Sequence, residues 1–239
     1  MRVAGRITGE AILIGGEMVR PGISTKQIDE KIRHHIEKCG ARPSFLGYGG
    51  FPGSACISVN EQVIHGIPSY DKILEEGDIV KIDVGAYIGG FHGDSARTFA
   101  CGKISEEAQR LIDVTKRSFE LGVEAAGKEG ARIGDIGFAV NEYVVANGFS
   151  TVKKYVGHGV GHDLHEDPNV PNYGTPGRGA RICRGMVIAI EPMVNMGTDE
   201  VLELKDGWTV ITKDRKLSAH YEHTVAITEN GPELLTKVD

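Results

Sequence analysis

Apolar residues return at every fourth position through Ile28, Ile32 and Ile36, in a stretch that opens on Ser24, has Gln27 three residues later and closes at Gly40. Serine as the cap, glutamine at the third helical position and a terminal glycine are the start and stop signals of an amphipathic helix. The spacing recurs in Ile136, Val140 and Val144, which run to Gly148. A third helix is predicted from Ser105, where Glu106 and Glu107 suit the positive end of the helix dipole and Leu111, Ile112, Val114, Phe119 and Val123 supply the apolar stripe. Residues 2–18 give a further helical pattern. Strand-like runs fall at about 55–59, 62–65, 78–84, 91–99, 186–191 and 219–227. Together these predict an α+β fold, an antiparallel sheet covered on one face by helices, with the helical stripes serving as packing surfaces.

The chain also resembles itself. A shift of 108 positions sets Gly22 on Gly130, Ile28 on Ile136, Ile32 on Val140, Ile36 on Val144 and Gly40 on Gly148. The same shift sets Gly77 on Gly185, Ile79 on Val187, Ile82 on Ile190 and Asp83 on Glu191. One carboxylate falling on another, amid matched glycines and aliphatics, predicts a single domain of two related halves, about 1–104 and 105–239.

Those two carboxylates are the first chemical signal. Asp83 ends Ile79-Val80-Lys81-Ile82 and Glu191 ends Val187-Ile188-Ala189-Ile190, so each anion closes a strand that reads as core, where a bare charge is costly. Gly89-Gly90 separates the strands of Asp83 and Asp94, which predicts a hairpin. With its tip at Ile88-Gly89, Asp83 and Asp94 would oppose each other and repel unless a proton or a cation lies between them. Glu222 sits at the start of a second apolar run, and His158 lies in the Gly-rich Gly157-His158-Gly159-Val160-Gly161. Four converging carboxylates suit divalent ions, and an imidazole shifts the preference toward transition metals such as Mn, Fe, Co or Zn. Two such ions with bridging carboxylates and an activated water would be a hydrolytic centre. His34, His35, His92, His162, His220 and His223 are expected to be solvated or locally hydrogen-bonded, whereas His65 and His165 stand apart from them.

Composition narrows the setting. With 239 residues, 40% hydrophobic and 25% charged, the chain can bury a substantial core. A net charge of −6 argues against gripping DNA through overall charge. Cys39, Cys56, Cys101 and Cys183 form no Cys-x-x-Cys pair and are expected to be reduced thiols. No run reaches the length of a membrane span, and Met1-Arg2-Val3-Ala4-Gly5-Arg6 lacks a secretory signal, so a cytoplasmic protein without a membrane partner is expected.

His65-Gly66-Ile67-Pro68, Gly77-Asp78-Ile79-Val80-Lys81-Ile82-Asp83, Phe91-His92-Gly93-Asp94, Gly157-His158-Gly159-Val160-Gly161, His165-Glu166-Asp167-Pro168, Ile190-Glu191-Pro192 and Ala219-His220-Tyr221-Glu222-His223-Thr224 follow one another in the order of the motifs of type I methionine aminopeptidases, which this chain resembles along nearly its whole length. The resemblance implies the pita-bread fold, a single catalytic domain and a metal-dependent hydrolase that removes the initiator methionine from nascent polypeptides. It further implies two divalent ions drawn from Co, Mn, Fe, Zn or Ni. By the same resemblance Asp83 would chelate one ion, His158 and Glu191 the other, and Asp94 and Glu222 would bridge them. Glu191 would also shuttle a proton, His165 would stabilise the carbonyl oxygen, and His65 would contact the scissile nitrogen. Tyr48, Phe51, Cys56 and Trp208 resemble the wall of the methionine pocket. Phe51 stands where relatives often carry a polar ring, and Leu164 where many carry Phe. Kinship also implies a monomer, association with the ribosome and a minimal bacterial-type enzyme, with further residues usually preceding the stretch that starts here at Met1. The competing readings are an Xaa-Pro aminopeptidase or prolidase of the same fold, and a non-catalytic peptide-binding module.

Overall fold

Ser24 and Gln27 make the reciprocal bonds expected of them: Ser24 Oγ accepts from the Gln27 backbone N–H at 3.3 Å, and Gln27 Oε1 accepts from the Ser24 N–H at 2.9 Å. They open α2 (Thr25–Lys38), which packs beside α1 (Arg2–Glu17). The computed structural model describes residues 1–238. Ile28, Ile32 and Ile36 are fully buried, in one core with Ile7 and Ile12 of α1 and the strands β2 (Ala55–Val59) and β4 (Ile79–Ile88). Asp29, on the same helix, is buried and accepts from the backbone N–H groups of Ser54 and Ala55 at 2.7 and 3.0 Å, which fixes α2 against the entry of β2. The second half repeats the plan. Helices α3 (Glu106–Ala126) and α4 (Ile133–Ala146) share a core with β9 (Val187–Ile190) and β14 (His223–Thr228), through Leu111, Phe119, Ile136, Val140, Val144, Ile188, Ile190 and Val225.

Between these elements run β1 (Arg42–Pro43), β3 (Gln62–Ile64), β5 (Phe91–Ala100), β6 (Ser150–Thr151), β7 (Gly157–Gly159), β8 (Glu166–Val170), β10 (Met193–Asn195), β11 (Val201–Glu203), β12 (Val210–Thr212), β13 (Ser218–His220) and β15 (Gly231–Leu234). The expected antiparallel sheet is divided into four hydrogen-bonded pieces among the described residues. The two largest are β1-β4-β2, with β5 also on β4, and β15-β14-β9-β7-β8. The shift of 108 positions carries Ile79–Ile82 of β4 onto Val187–Ile190 of β9.

Two sequence-based details need correction. The β4–β5 hairpin pairs Ile88 with Phe91, so its tip is Gly89-Gly90, and Asp83 lies opposite Ala96 while Asp94 lies opposite Gly85. Both glycines have positive φ, 62° and 86°, as a tight twisted hairpin turn requires at both central positions; Ile88 cannot supply this. The shift is an even number of residues, so the two aspartates keep the same face as diagonal neighbours. The strand expected over 219–227 is broken at Tyr221-Glu222, because the Glu222 N–H turns away to donate to Ala96 O at 2.8 Å. Ser95 Oγ donates to Glu222 O at 2.7 Å and Thr224 Oγ1 to Asp94 O at 2.8 Å, so β5 and residues 222–224 form the seam between the halves. Among the described residues, no helix is long and apolar enough to cross a membrane.

Candidate metal centre and substrate pocket

The seam brings the predicted ligands together. Asp83 extends from β4 beside Cys56 of β2, and Asp94 comes from the adjoining strand β5. Glu191 follows the last residue of β9, Glu222 lies in the break before β14, and His158 is the central residue of β7. A Cβ at Gly157 would fall 2.3 Å from Ala189 O and one at Gly159 2.4 Å from Asp167 O, so the glycines flanking His158 allow β7 to lie between β8 and β9. Asp94, His158 and Glu222, all buried, each offer a ligand atom within 4.8 Å of the others. His158 Nε2 is 3.8 Å from Asp94 Oδ2 and 3.5 Å from Glu191 Oε1.

His158 shows what kind of partner the cluster suits. Its Nδ1 lies 2.8 Å from Gly159 O, and because a carbonyl only accepts, Nδ1 carries the proton of the neutral ring. Nε2 therefore turns a lone pair toward oxygens that also only accept. Burial, reinforced by His165, lowers the His158 pKa to about 4, so protonating the imidazole does not resolve the conflict. The same burial favours the protonated form of the carboxylates when no cation is bound. Burial raises all four, with Asp94 at about 7; mutual repulsion adds to the rise at Asp83, Glu191 and Glu222. Asp83 Oδ1 and Asp94 Oδ1 are buried and make no hydrogen bond among the described residues. Unpaired buried acceptors, a lone pair among carboxylates and a mixed oxygen–nitrogen donor set fit divalent transition-metal ions.

Beside this cluster, one cavity of about 170 Å³ is lined by Phe45, Tyr48, Phe51, Cys56, Leu164 and Trp208, with the five acidic and imidazole ligand candidates and both His65 and His165 at its polar end. Phe45, Phe51, Cys56 and Leu164 pack as one apolar group, and Phe51 meets Trp208 edge-on at 5.1 Å. His165 Nδ1 is 2.7 Å from the Tyr48 hydroxyl. His65 has φ +58°, a strained backbone of the kind held at working sites, and burial lowers its pKa to about 4.

The whole of residues 1–229 matches the model of metallopeptidase family M24. The chain belongs to this family, in its methionine aminopeptidase branch. It is 57% identical to a methionine aminopeptidase of Clostridium perfringens, over 100% of this chain and 95% of that protein. It is 51% identical to methionine aminopeptidase 1 of Bacillus subtilis, again over 100% of this chain and 95% of that one. The crystal structure of methionine aminopeptidase from Thermotoga maritima superposes with a TM-score of 0.97 at 43% identity, covering 100% of this chain and 95% of the other. A prolidase from Pyrococcus furiosus shares the fold with a TM-score of 0.79 at 26% identity, but only 63% of that chain is covered.

As an M24 metallopeptidase the chain is a hydrolase that uses divalent metal. All five predicted ligands and all six predicted pocket residues line one cavity. Sequence reasoning passed over Phe45 as a wall residue and misjudged His220. That imidazole is 1% exposed, neither ring nitrogen has a hydrogen-bond partner among the described residues, and Nε2 stands 3.6 Å from Glu191 Oε2. It is therefore neither solvated nor locally bonded. Burial, with the nearby His65 and Lys81, holds its pKa at about 3. The overlooked signal was its position two residues before Glu222, after an apolar alanine. His223 and His92 do have local partners, Thr236 Oγ1 at 2.7 Å and Ser44 Oγ at 2.8 Å.

Proposed function

We propose that this single two-halved domain removes N-terminal methionine from polypeptides by metal-dependent hydrolysis, with Asp83, Asp94, His158, Glu191 and Glu222 holding two divalent ions. The observation that carries the reading is the lone pair of His158 Nε2 aimed at Glu191 and Asp94, beside an apolar-walled cavity. Asp94 and Glu222, at the seam, would be shared between the ions, Asp83 would hold one of them, and His158 with Glu191 would hold the other. Bound divalent ions supply Lewis acidity and make a water molecule acidic enough to attack a carbonyl at neutral pH. Co, Mn, Fe, Zn or Ni would satisfy this donor set.

The protein supplies the rest. Phe45, Phe51, Cys56, Leu164 and Trp208 take up the thioether side chain and exclude water. Glu191, whose two carboxylate oxygens face His158 and His220, receives the proton of the attacking water and passes it to the departing amine. When the Tyr48 hydroxyl donates to His165 Nδ1, the ring proton resides on Nε2, which is then a donor for the carbonyl oxygen as charge develops. His65, kept neutral, contacts the scissile nitrogen. The setting we infer is the cytoplasm, where a monomer acts on chains emerging from the ribosome.

The test is release of free methionine from Met-Ala and Met-Gly peptides after addition of Mn or Co to chelator-treated protein, with Xaa-Pro peptides as the contrast. Methionine release that depends on metal supports the proposal. Cleavage confined to Xaa-Pro bonds, or no turnover of any short peptide, would overturn it.

A further inference from the structure

Away from the catalytic centre, Glu10 of α1 meets His35 and Cys39 at the far end of α2. His35 and Cys39 are four residues apart, so one face of the helix presents both. His35 Nε2 is 3.2 Å from Glu10 Oε2 and 3.7 Å from Cys39 Sγ, and the three donor atoms all lie within 4.8 Å of one another. A tetrahedral zinc ion, with bonds of about 2.3 Å to sulfur and about 2.0 Å to nitrogen and oxygen, sets its ligands about 3.6 Å apart from S to N and about 3.3 Å from O to N. The observed edges match both. We propose that Glu10, His35 and Cys39 form a second, peripheral transition-metal site of the zinc class, with water as the fourth ligand.

The donor set is distinct from that of the catalytic centre. Thiolate and imidazole favour zinc and other borderline or soft ions, and exclude magnesium and calcium. Its neighbours permit it: Arg6, the cation nearest to Glu10, is 3.9 Å away on the other carboxylate oxygen, which leaves Oε2 to the site. His35 and Glu10 are partly shielded, and Cys39 is exposed, so the ion has an open route in from solvent. Bound there, it would tie α2 to α1, the helix packed behind the strands that carry Asp83 and Asp94. It would also cap a thiol otherwise open to oxidation.

Cys183 provides an internal control, because it is the other exposed cysteine. In chelator-treated, reduced protein, saturating Zn should slow alkylation of Cys39 by iodoacetamide at least tenfold and leave Cys183 unchanged, as read by peptide mass spectrometry; Mg should protect neither. The His35→Ala protein should lose the protection. Equal rates at Cys39 with and without Zn, or protection that survives His35→Ala, would overturn the proposal. Independently, Cd should produce a thiolate charge-transfer absorption that is diminished in Cys39→Ser. An unchanged absorption in that variant would overturn it too. Neither readout depends on peptidase activity.

Discussion

Nε2 of His158 stands 3.5 Å from Oε1 of Glu191, while the ring's proton is engaged on the opposite nitrogen by Gly159 O. Two acceptors held this close in a buried site repel unless a proton or a cation lies between them. Replacing His158 with Ala removes a ligand and leaves the carboxylates in place. Metal affinity, measured by competition with a chelator, should fall by more than the ten- to hundredfold typical of supporting residues. Glu222→Ala should lower it at least as far. A His158→Ala protein that retains full metal content against the chelator would show that the imidazole is not a ligand.

Removing metal should make stability depend on pH in a particular direction. Asp83, Asp94, Glu191 and Glu222 have folded pKa values raised above those of the unfolded chain, so they favour the native state when protonated and penalise it as pH rises through the folded values, about 7 for Asp94. His65, His158 and His220, depressed to about 4, 4 and 3, act oppositely and cost stability as pH falls below about 6.5. Metal-free protein should therefore melt at a lower temperature at pH 8 than at pH 6.5, and added Mn should abolish most of the difference. A metal-free melting temperature that is flat across this range would contradict the buried-anion account.

How much of this was legible in the sequence follows from the range of each interaction. The capping box at Ser24 and Gln27 is local, and α2 begins where it says. Parity along a strand is equally robust, so Asp83 and Asp94 share a face although the hairpin register moved by two residues. That shift came from weighing Ile88 as a turn residue, when only Gly89-Gly90 tolerates positive φ at both positions. His220 could not be assigned locally, since its burial arises from contacts across the seam, with Thr98 Oγ1 accepting from its backbone N–H at 2.9 Å. Phe45 stands three residues before Tyr48, in a stretch with no helical or strand period to mark it, and its place in the pocket depends on packing with Phe51, Cys56 and the distant Leu164.

The pairing of Tyr48 with His165 sets which ring nitrogen can donate. Replacing His165 with Ala removes that donor, and kcat should fall about 10²- to 10³-fold, the usual cost of losing a group that stabilises a developing oxyanion, while bound metal is retained. Tyr48→Phe should lower kcat less, with KM for Met-Ala peptides changed little. Large metal loss in His165→Ala would place that residue among the ligands instead.

Asp29 anchors α2 to β2 and, through β2, positions Cys56. It is buried, accepts from two backbone amides and pairs with Lys26 Nζ at 2.6 Å. Asp29→Ala strands those amides and should cost about 3 kcal/mol of stability, measured by urea unfolding of the metal-loaded protein. Asp29→Asn keeps one acceptor and should cost less. Equal stability of both variants and the parent would mean that water replaces the carboxylate without loss.

His220 presents to Glu191 Oε2, at 3.6 Å, an imidazole with no other partner among the described residues. A neutral ring with its proton on Nε2 would steady the carboxylate in the orientation needed to take up and release a proton, while burial keeps the ring from becoming a competing cation. Gln can retain a donor at this place and Leu cannot. His220→Gln should keep kcat within about tenfold of the parent, whereas His220→Leu should lose more than that, with metal content and KM largely preserved. The split between the two variants is the informative result, because a residue that merely filled space would tolerate Leu at least as well as Gln. Full activity in His220→Leu would remove His220 from the reaction and leave Glu191 oriented by its other neighbours alone.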